Sequence, residues 1–261
     1  MKVKDVMTKE VVCVDKDESL AHVLELMKKY DITKIPVTEK KKLVGIITDN
    51  VIAYKLGSIR KKGVSASHLH ASSVTEKKIK KVSPDTDVKD ILETVGEPGT
   101  TMLPVVEQGG KLVGIVTKAD LLHLVNSKKP VYSIMQKKPY FVSPDDRVIH
   151  ARRVMIEKDV ARLPVAHDGR LFGIISDIEI AFAFADLKKN YALGNQKHHL
   201  EELLVEDVMK TPVTWAEPNI TVFDAAKIMI DKNIGALPLL EKEKIVGIVT
   251  RTDLLKTISI N

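Results

Sequence analysis

The chain has 261 residues, 44% of them apolar and only 4% aromatic, enough for two ordinary domains or four small repeats around a mostly aliphatic core. One cysteine, Cys13, excludes a disulfide framework, no apolar run approaches the roughly 18 residues of a membrane span, and Met1-Lys2-Val3-Lys4-Asp5 lacks the apolar run of a signal peptide, so a cytoplasmic protein is expected. The net charge of +6 sits in residues 60–81, where Arg60, Lys61, Lys62, Lys77, Lys78, Lys80 and Lys81 face only Glu76; this stretch reads as a solvated linker, or as an electrostatic contact for an acidic partner or nucleic acid.

The chain opens on Asp5-Val6-Met7, and a short strand is expected at Val11-Val12-Cys13-Val14. Asp17 stands where it would cap a helix, and Leu20, Val23, Leu24 and Met27 follow at helical spacing. Lys34-Ile35-Pro36-Val37 starts a second strand, and the turn Glu39-Lys40-Lys41-Lys42 leads into a third, Leu43-Val44-Gly45-Ile46-Ile47-Thr48. A second helix follows Thr48. The predicted order is strand, helix, strand, strand, helix.

This unit occurs four times. The third strand returns as Leu112-Val113-Gly114-Ile115-Val116-Thr117, Leu171-Phe172-Gly173-Ile174-Ile175-Ser176 and Ile245-Val246-Gly247-Ile248-Val249-Thr250. Each copy follows an apolar-flanked proline: Pro36, Pro104, Pro164 or Pro238. The expected cap lies nineteen residues before that proline in every copy, at Asp17, Asp85, Asp145 and Asn219. Ten residues after the cap come Met27, Val95, Met155 and Met229, read as core; ten before it come Met7, Thr75, Met135 and Met209. The repeats are bounded at 1–58, 72–126, 129–187 and 203–261. The connection from repeat 2 to repeat 3 is short, whereas the exit from repeat 3 reads as helix, turn and short helix, a candidate contact surface.

These phrases resemble the cystathionine-β-synthase (CBS) domain: the Asp-Val-Met opening, the apolar-Pro-Val strand, and Gly-Ile-apolar-Thr before a polar helix start. The resemblance covers nearly the whole chain. It implies an α/β (α+β) fold of four β-α-β-β-α repeats paired into two pseudo-symmetric Bateman modules, as in the γ subunit of AMP-activated protein kinase and its stand-alone archaeal relatives. Pairing also makes physical sense, because a repeat of about 60 residues buries too little surface to be stable alone.

The resemblance places ligands in the clefts between paired repeats and marks them by Thr/Ser-x-x-Asp at the second helix. The carboxylate would accept from both ribose hydroxyls, as a two-oxygen acceptor suits a cis-diol. Repeat 2 carries Thr117 and Asp120, repeat 4 carries Thr250 and Asp253, and repeat 3 carries Ser176 with the longer Glu179. Repeat 1 has Val51 at the acid position, and no ribose clamp is expected there. The same spacing is a helix capping box, so capping stands as the competing reading. Lys34 and Arg162, two residues before Pro36 and Pro164, hold the places from which family relatives contact phosphate, while Met102 and Ala236 hold them in repeats 2 and 4. Cys13, Lys81, Phe141 and Trp215 share one register position, read as core packing ahead of contact with a base.

The implied function is regulatory: binding of AMP, ADP or ATP, energy sensing, and signalling to an unidentified protein partner through module rearrangement. S-adenosylmethionine or methylthioadenosine is the competing ligand class. An interaction or nucleic-acid-binding role for the basic segment is the competing function. No catalytic constellation is recognisable, and His198-His199 and His68-Leu69-His70 lack the companions of a metal site, so neither an enzyme nor a metalloprotein is expected. Monomer and homodimer remain open.

Overall fold

The computed structural model describes residues 1–57, 66–96, 102–191 and 193–258; Arg60, Lys61 and Lys62 lie outside them. Repeat 1 comprises α1 (Val3–Val6), β1 (Val14–Asp15), α2 (Leu20–Tyr30), β2 (Lys34–Glu39), β3 (Lys42–Thr48) and α3 (Asp49–Gly57). Repeat 2 has α4 (Val88–Gly96), β4 (Met102–Val106), β5 (Leu112–Thr117) and the single turn α5 (Lys118–Leu121). Repeat 3 has α6 (Val148–Lys158), β6 (Arg162–His167), β7 (Arg170–Ser176) and α7 (Asp177–Asn190), with α8 (Leu193–Glu202) leading out of it. Repeat 4 has α9 (Val222–Asp231), β8 (Ala236–Glu241), β9 (Lys244–Thr250) and α10 (Arg251–Leu255).

The first helix of each repeat forms because its apolar residues recur at helical spacing and find a core. Met27, Val95, Met155 and Met229 are all buried, as are Leu20, Val23 and Leu24 on α2. Each such side chain contributes about 1.5–3 kcal/mol relative to exposure. The caps lie two residues later than the sequence suggests. Ser19 accepts from His22 N (3.2 Å) and Thr221 from Asp224 N (3.0 Å), while Asp17 sits in the preceding turn with its own N–H on Asp15 (3.1 Å). Asp and Asn bond locally in turns as readily as at caps, and here the turn wins.

The expected first strands are also shorter than predicted. β1 has two residues, and repeats 2 to 4 keep only the single parallel bridges of Val82, Val142 and Ala216 to Val105, Val165 and Leu239. The cause is a change of partner. Thr8 bridges Ile115 of repeat 2 before Val14 pairs with Val37 of repeat 1, so the segment crosses from one sheet to another.

The other strand pair has one register in all four repeats. Pro36, Pro104, Pro164 and Pro238 face Ile46, Ile115, Ile174 and Ile248, and a bulge follows each glycine pairing. The glycines are required by the neighbouring repeat. A Cβ on Gly114 would lie 2.6 Å from Met7 Sδ, one on Gly247 2.6 Å from Met135 Sδ, and one on Gly45 2.3 Å from the Glu76 carbonyl oxygen. Met209 fills the same space over Gly173. Repeats 1 and 2 therefore interlock strand to linker in both directions, and repeats 3 and 4 do likewise.

Helices join the two modules. One core combines repeats 1 and 3, with Ile52 and Leu56 of α3 beside Ile180 and Phe184 of α7. The other combines repeats 2 and 4, with Leu121 and Leu122 beside Leu254 and Leu255. Repeats 1 and 4 also touch, where Asn233 donates to Asp31 Oδ2 (2.9 Å). Two helices, α7 and α8, form in the exit of repeat 3, the second starting at Leu193 inside the stretch read as a turn, and Leu200 of α8 is buried in the first core.

Candidate functional site

The hydroxyl–carboxylate motifs form reciprocal capping boxes in repeats 2, 3 and 4. Asp120 Oδ2 accepts from Thr117 N (2.7 Å) and Thr117 Oγ1 (2.6 Å). Asp253 Oδ2 accepts from Thr250 N (2.9 Å) and Oγ1 (2.6 Å). Glu179 Oε2 accepts from Ser176 N (3.0 Å) and from the Ser176 hydroxyl, so the longer side chain folds back into the same bond. In repeat 1 only half of the box exists, with Thr48 Oγ1 accepting from Val51 N (3.3 Å). Among the described residues, Asp120 alone of these acids takes a bond from the neighbouring repeat: Thr8 Oγ1 donates to its Oδ1 (2.8 Å).

In repeats 1, 3 and 4 the residue after the hydroxyl is drawn to the strand start of its own repeat. Asp49 N donates to Thr33 O (3.0 Å), Asp177 N to Ala161 O (3.3 Å) and Arg251 N to Gly235 O (3.2 Å). This brings Asp49 beside Lys34, whose Nζ lies 4.0 Å from Asp49 Oδ1 and 3.0 Å from Thr33 Oγ1. Burial pulls the Lys34 ammonium below its ordinary range, Asp49 opposes that, and Arg162 reinforces it. The Arg162 guanidinium lies across Gly235 of repeat 4, where a Cβ would fall 1.9 Å from one of its terminal nitrogens. Burial depresses Arg162 too, against the attraction of Asp49, Glu179 and Asp177.

Two further cations complete the cluster. Lys118 is buried and donates to Thr252 Oγ1 (2.6 Å) in repeat 4; burial, then Lys34, bring its pKa down to about 8. Arg251 donates to Ile234 O (3.0 Å) and Asn233 Oδ1 (3.2 Å); burial, then Arg162, bring it down to about 10. Lys118 is attracted by Asp253, and Arg251 by Asp120, each from the opposite module. All four repeats thus contribute one cation to a common centre. The cations are not alone there: Asp49 and Asp177 act on Lys34, Asp49, Glu179 and Asp177 on Arg162, Asp253 on Lys118 and Asp120 on Arg251, so the centre is a mixed cluster in which burial is the largest influence on each cation.

Sequence reasoning singled out Lys34 and Arg162 and missed Lys118 and Arg251. A signal was available: the residue after the hydroxyl is Asp49, Lys118, Asp177 and Arg251, acidic in odd repeats and basic in even ones. The shared position of Cys13, Lys81, Phe141 and Trp215 is a correction. All four are exposed, Phe141 at 59% and Trp215 at 52%, so they are not core. In the first module Lys9, Val11, Cys13, Thr38, Lys41, Leu112 and Val113 line an open pocket of about 170 Å³.

The model of the CBS domain matches residues 3–57, 71–127, 131–186 and 205–260, and the chain belongs to the CBS-domain family. Among archaeal relatives, protein MJ1225 of Methanocaldococcus jannaschii is 25% identical over 97% of this chain and 97% of its own length. Protein MJ1404 of the same organism is 28% identical over 98% of this chain, which spans 62% of that longer relative. The crystal structure of MJ1225, proposed as an archaeal homologue of γ-AMPK, superposes with a TM-score of 0.85 at 23% identity, covering 99% of this chain and 100% of that one. A conserved protein of Pyrococcus horikoshii gives a TM-score of 0.61 at 21% identity over 99% of this chain and 100% of its own. Among the described residues, no helix is long and apolar enough to cross a membrane.

Proposed function

We propose that the chain is a regulatory protein that binds adenosine nucleotides, AMP, ADP or ATP, in the two clefts marked by Asp120 and Asp253. The observation that carries this reading is that Lys118 of repeat 2 reaches Thr252 in the Thr250–Asp253 helix start and Arg162 of repeat 3 lies against Gly235 of repeat 4, with Lys34 and Arg251 in electrostatic range of Arg162. Each carboxylate would receive ribose hydroxyls, and the phosphates would point to the shared cations. Glu179 would serve a weaker third cleft. S-adenosylmethionine and methylthioadenosine carry no phosphate and would leave the cation cluster unused, which favours the nucleotides.

The clefts lie within modules, whereas the cations come from both modules. A bound phosphate would therefore favour one arrangement of the modules over another, by as much as its affinities for the two differ. A protein partner would read that difference.

Calorimetric titration with AMP, ADP, ATP, S-adenosylmethionine and methylthioadenosine tests this. Asp120→Ala and Asp253→Ala should each lose one site by about tenfold to a hundredfold, the cost of charged hydrogen bonds. Lys34→Gln with Arg162→Gln should weaken AMP and leave methylthioadenosine unaffected. If no adenosine compound binds protein freed of carried-over ligand, the boxes are caps only, and the proposal fails.

A further inference from the structure

Resting on the nucleotide reading, we infer that Thr8 determines ligand specificity in the Asp120 cleft by occupying a carboxylate position that the ribose diol needs, which makes the two clefts chemically unequal. A carboxylate has about four acceptor positions, two on each oxygen. In Asp253, Oδ2 takes both bonds from Thr250, and no described residue bonds to Oδ1. Oδ1 can then accept from both hydroxyls of a cis-diol. In Asp120, Oδ2 is filled in the same way by Thr117, but Thr8 already holds one position on Oδ1. One position is left for two hydroxyls.

The backbone makes this a side-chain property. Thr8 is fixed to β5 in both directions, Thr8 N to Ile115 O (2.9 Å) and Ile115 N to Thr8 O (3.0 Å). Gln136 holds the same place in the second module, with Gln136 N to Ile248 O (2.9 Å) and Ile248 N to Gln136 O (3.1 Å). Its amide instead donates to Lys138 O (3.5 Å). Two equivalent backbone positions thus present different side chains to equivalent acids. Thr8 can leave Asp120 only by rotating its side chain, which gives up a charge-assisted bond. The Asp120 cleft consequently holds one ribose hydroxyl, and the Asp253 cleft holds two.

The test uses AMP, 2′-deoxy-AMP and 3′-deoxy-AMP on the full chain, in Asp253→Ala and Asp120→Ala backgrounds that each leave one cleft. At the Asp253 cleft both deoxy compounds should bind about tenfold more weakly than AMP, the cost of one charged hydrogen bond. At the Asp120 cleft only one of them should. Thr8→Val should make both deoxy compounds weak there, and Thr8→Ser, which keeps the hydroxyl, should behave as the parent. In the otherwise unaltered chain, Thr8→Val should also narrow the gap between the two AMP binding constants. The inference is overturned if both deoxy compounds are penalised at the Asp120 cleft with Thr8 in place. It is equally overturned if Thr8→Val weakens AMP, which would make Thr8 a ligand contact. Failure of AMP to bind either background shows before Thr8 is touched, and overturns the nucleotide reading together with this one.

Discussion

Lys118 of repeat 2 donates to Thr252 of repeat 4, Nζ to Oγ1 at 2.6 Å, and so reaches across the module boundary into the Thr250–Asp253 helix start. The two residues are 134 positions apart in the chain. The contact places a buried cation of one module beside the carboxylate of the other.

That placement gives a pH dependence. Lys118 falls from an ordinary 10.5 to about 8 because burial disfavours its charged form. Below about pH 8 it is protonated both folded and unfolded. Between about 8 and 10.5 the folded chain loses this proton first, the unfolded chain holds more protons, and this group's contribution to stability rises with pH. Phosphate binding has the opposite sign, because it needs the charge. AMP affinity should fall as pH rises through about 8. Lys118→Arg, whose cation persists, should abolish that step, as calorimetry at pH 7, 8 and 9 would record.

The interlocked glycines make a second prediction, about stability. Gly114→Ala would set a Cβ 2.6 Å from Met7 Sδ, an overpacking worth about 1–3 kcal/mol. Met7→Ala in the same chain should recover part of that loss, which a double-mutant cycle in urea would measure as coupling. Gly45→Ala meets the Glu76 carbonyl at 2.3 Å, a backbone atom, so trimming Thr75 beside it should rescue little.

This contrast shows what could be read from the chain alone. The proline and glycine of each repeat report constraints on the backbone, and those recur with fixed spacing. Four repeats and their strand register were therefore legible, and so were the hydroxyl–carboxylate helix starts at Asp120, Glu179 and Asp253. The cap offset from Asp17 to Ser19 was not, because either residue can bond the local backbone. Lys118 and Arg251 stand at the position after the hydroxyl, where the alternation of acid and base was visible and was overlooked. Thr8 left no such trace, because its bond to Asp120 spans 112 positions and periodicity within a repeat carries no information on that contact.

Gly235 offers a prediction in which stability and binding separate. An added Cβ would fall 1.9 Å from a guanidinium nitrogen of Arg162, the movable end of a long side chain. Gly235→Ala should thus displace Arg162 from the shared centre more than it strains the fold. AMP should bind more weakly, as with Arg162→Gln, while the urea midpoint changes little. Equal AMP affinity in Gly235→Ala and the parent would show that Arg162 does not need this seat.

The buried pair Arg152–Asp177 should control how the modules hold together. Both side chains are nearly inaccessible, at 9% and 4% exposure, and the guanidinium also donates to Asn50 O (3.2 Å) and Asn50 Oδ1 (3.3 Å) on α3 of the other module. Burial, then the nearby Asp49, raise Asp177 to about 6 despite Arg152. Between 3.8 and about 6 the folded chain holds more protons than the unfolded one, so this group's contribution to stability falls as pH rises through that window. Asp177→Asn at neutral pH leaves Arg152 buried without its counter-charge and should cost about 3–5 kcal/mol, whereas Asp177→Leu with Arg152→Met removes both charges and should cost far less. Asn50→Ala keeps the ion pair and should cost about 1–3 kcal/mol, for a charge-assisted bond to its side chain. Denaturation of the four chains at pH 7 measures this order, and an Asp177→Asn chain as stable as the double variant would show that the pair does not bind the modules.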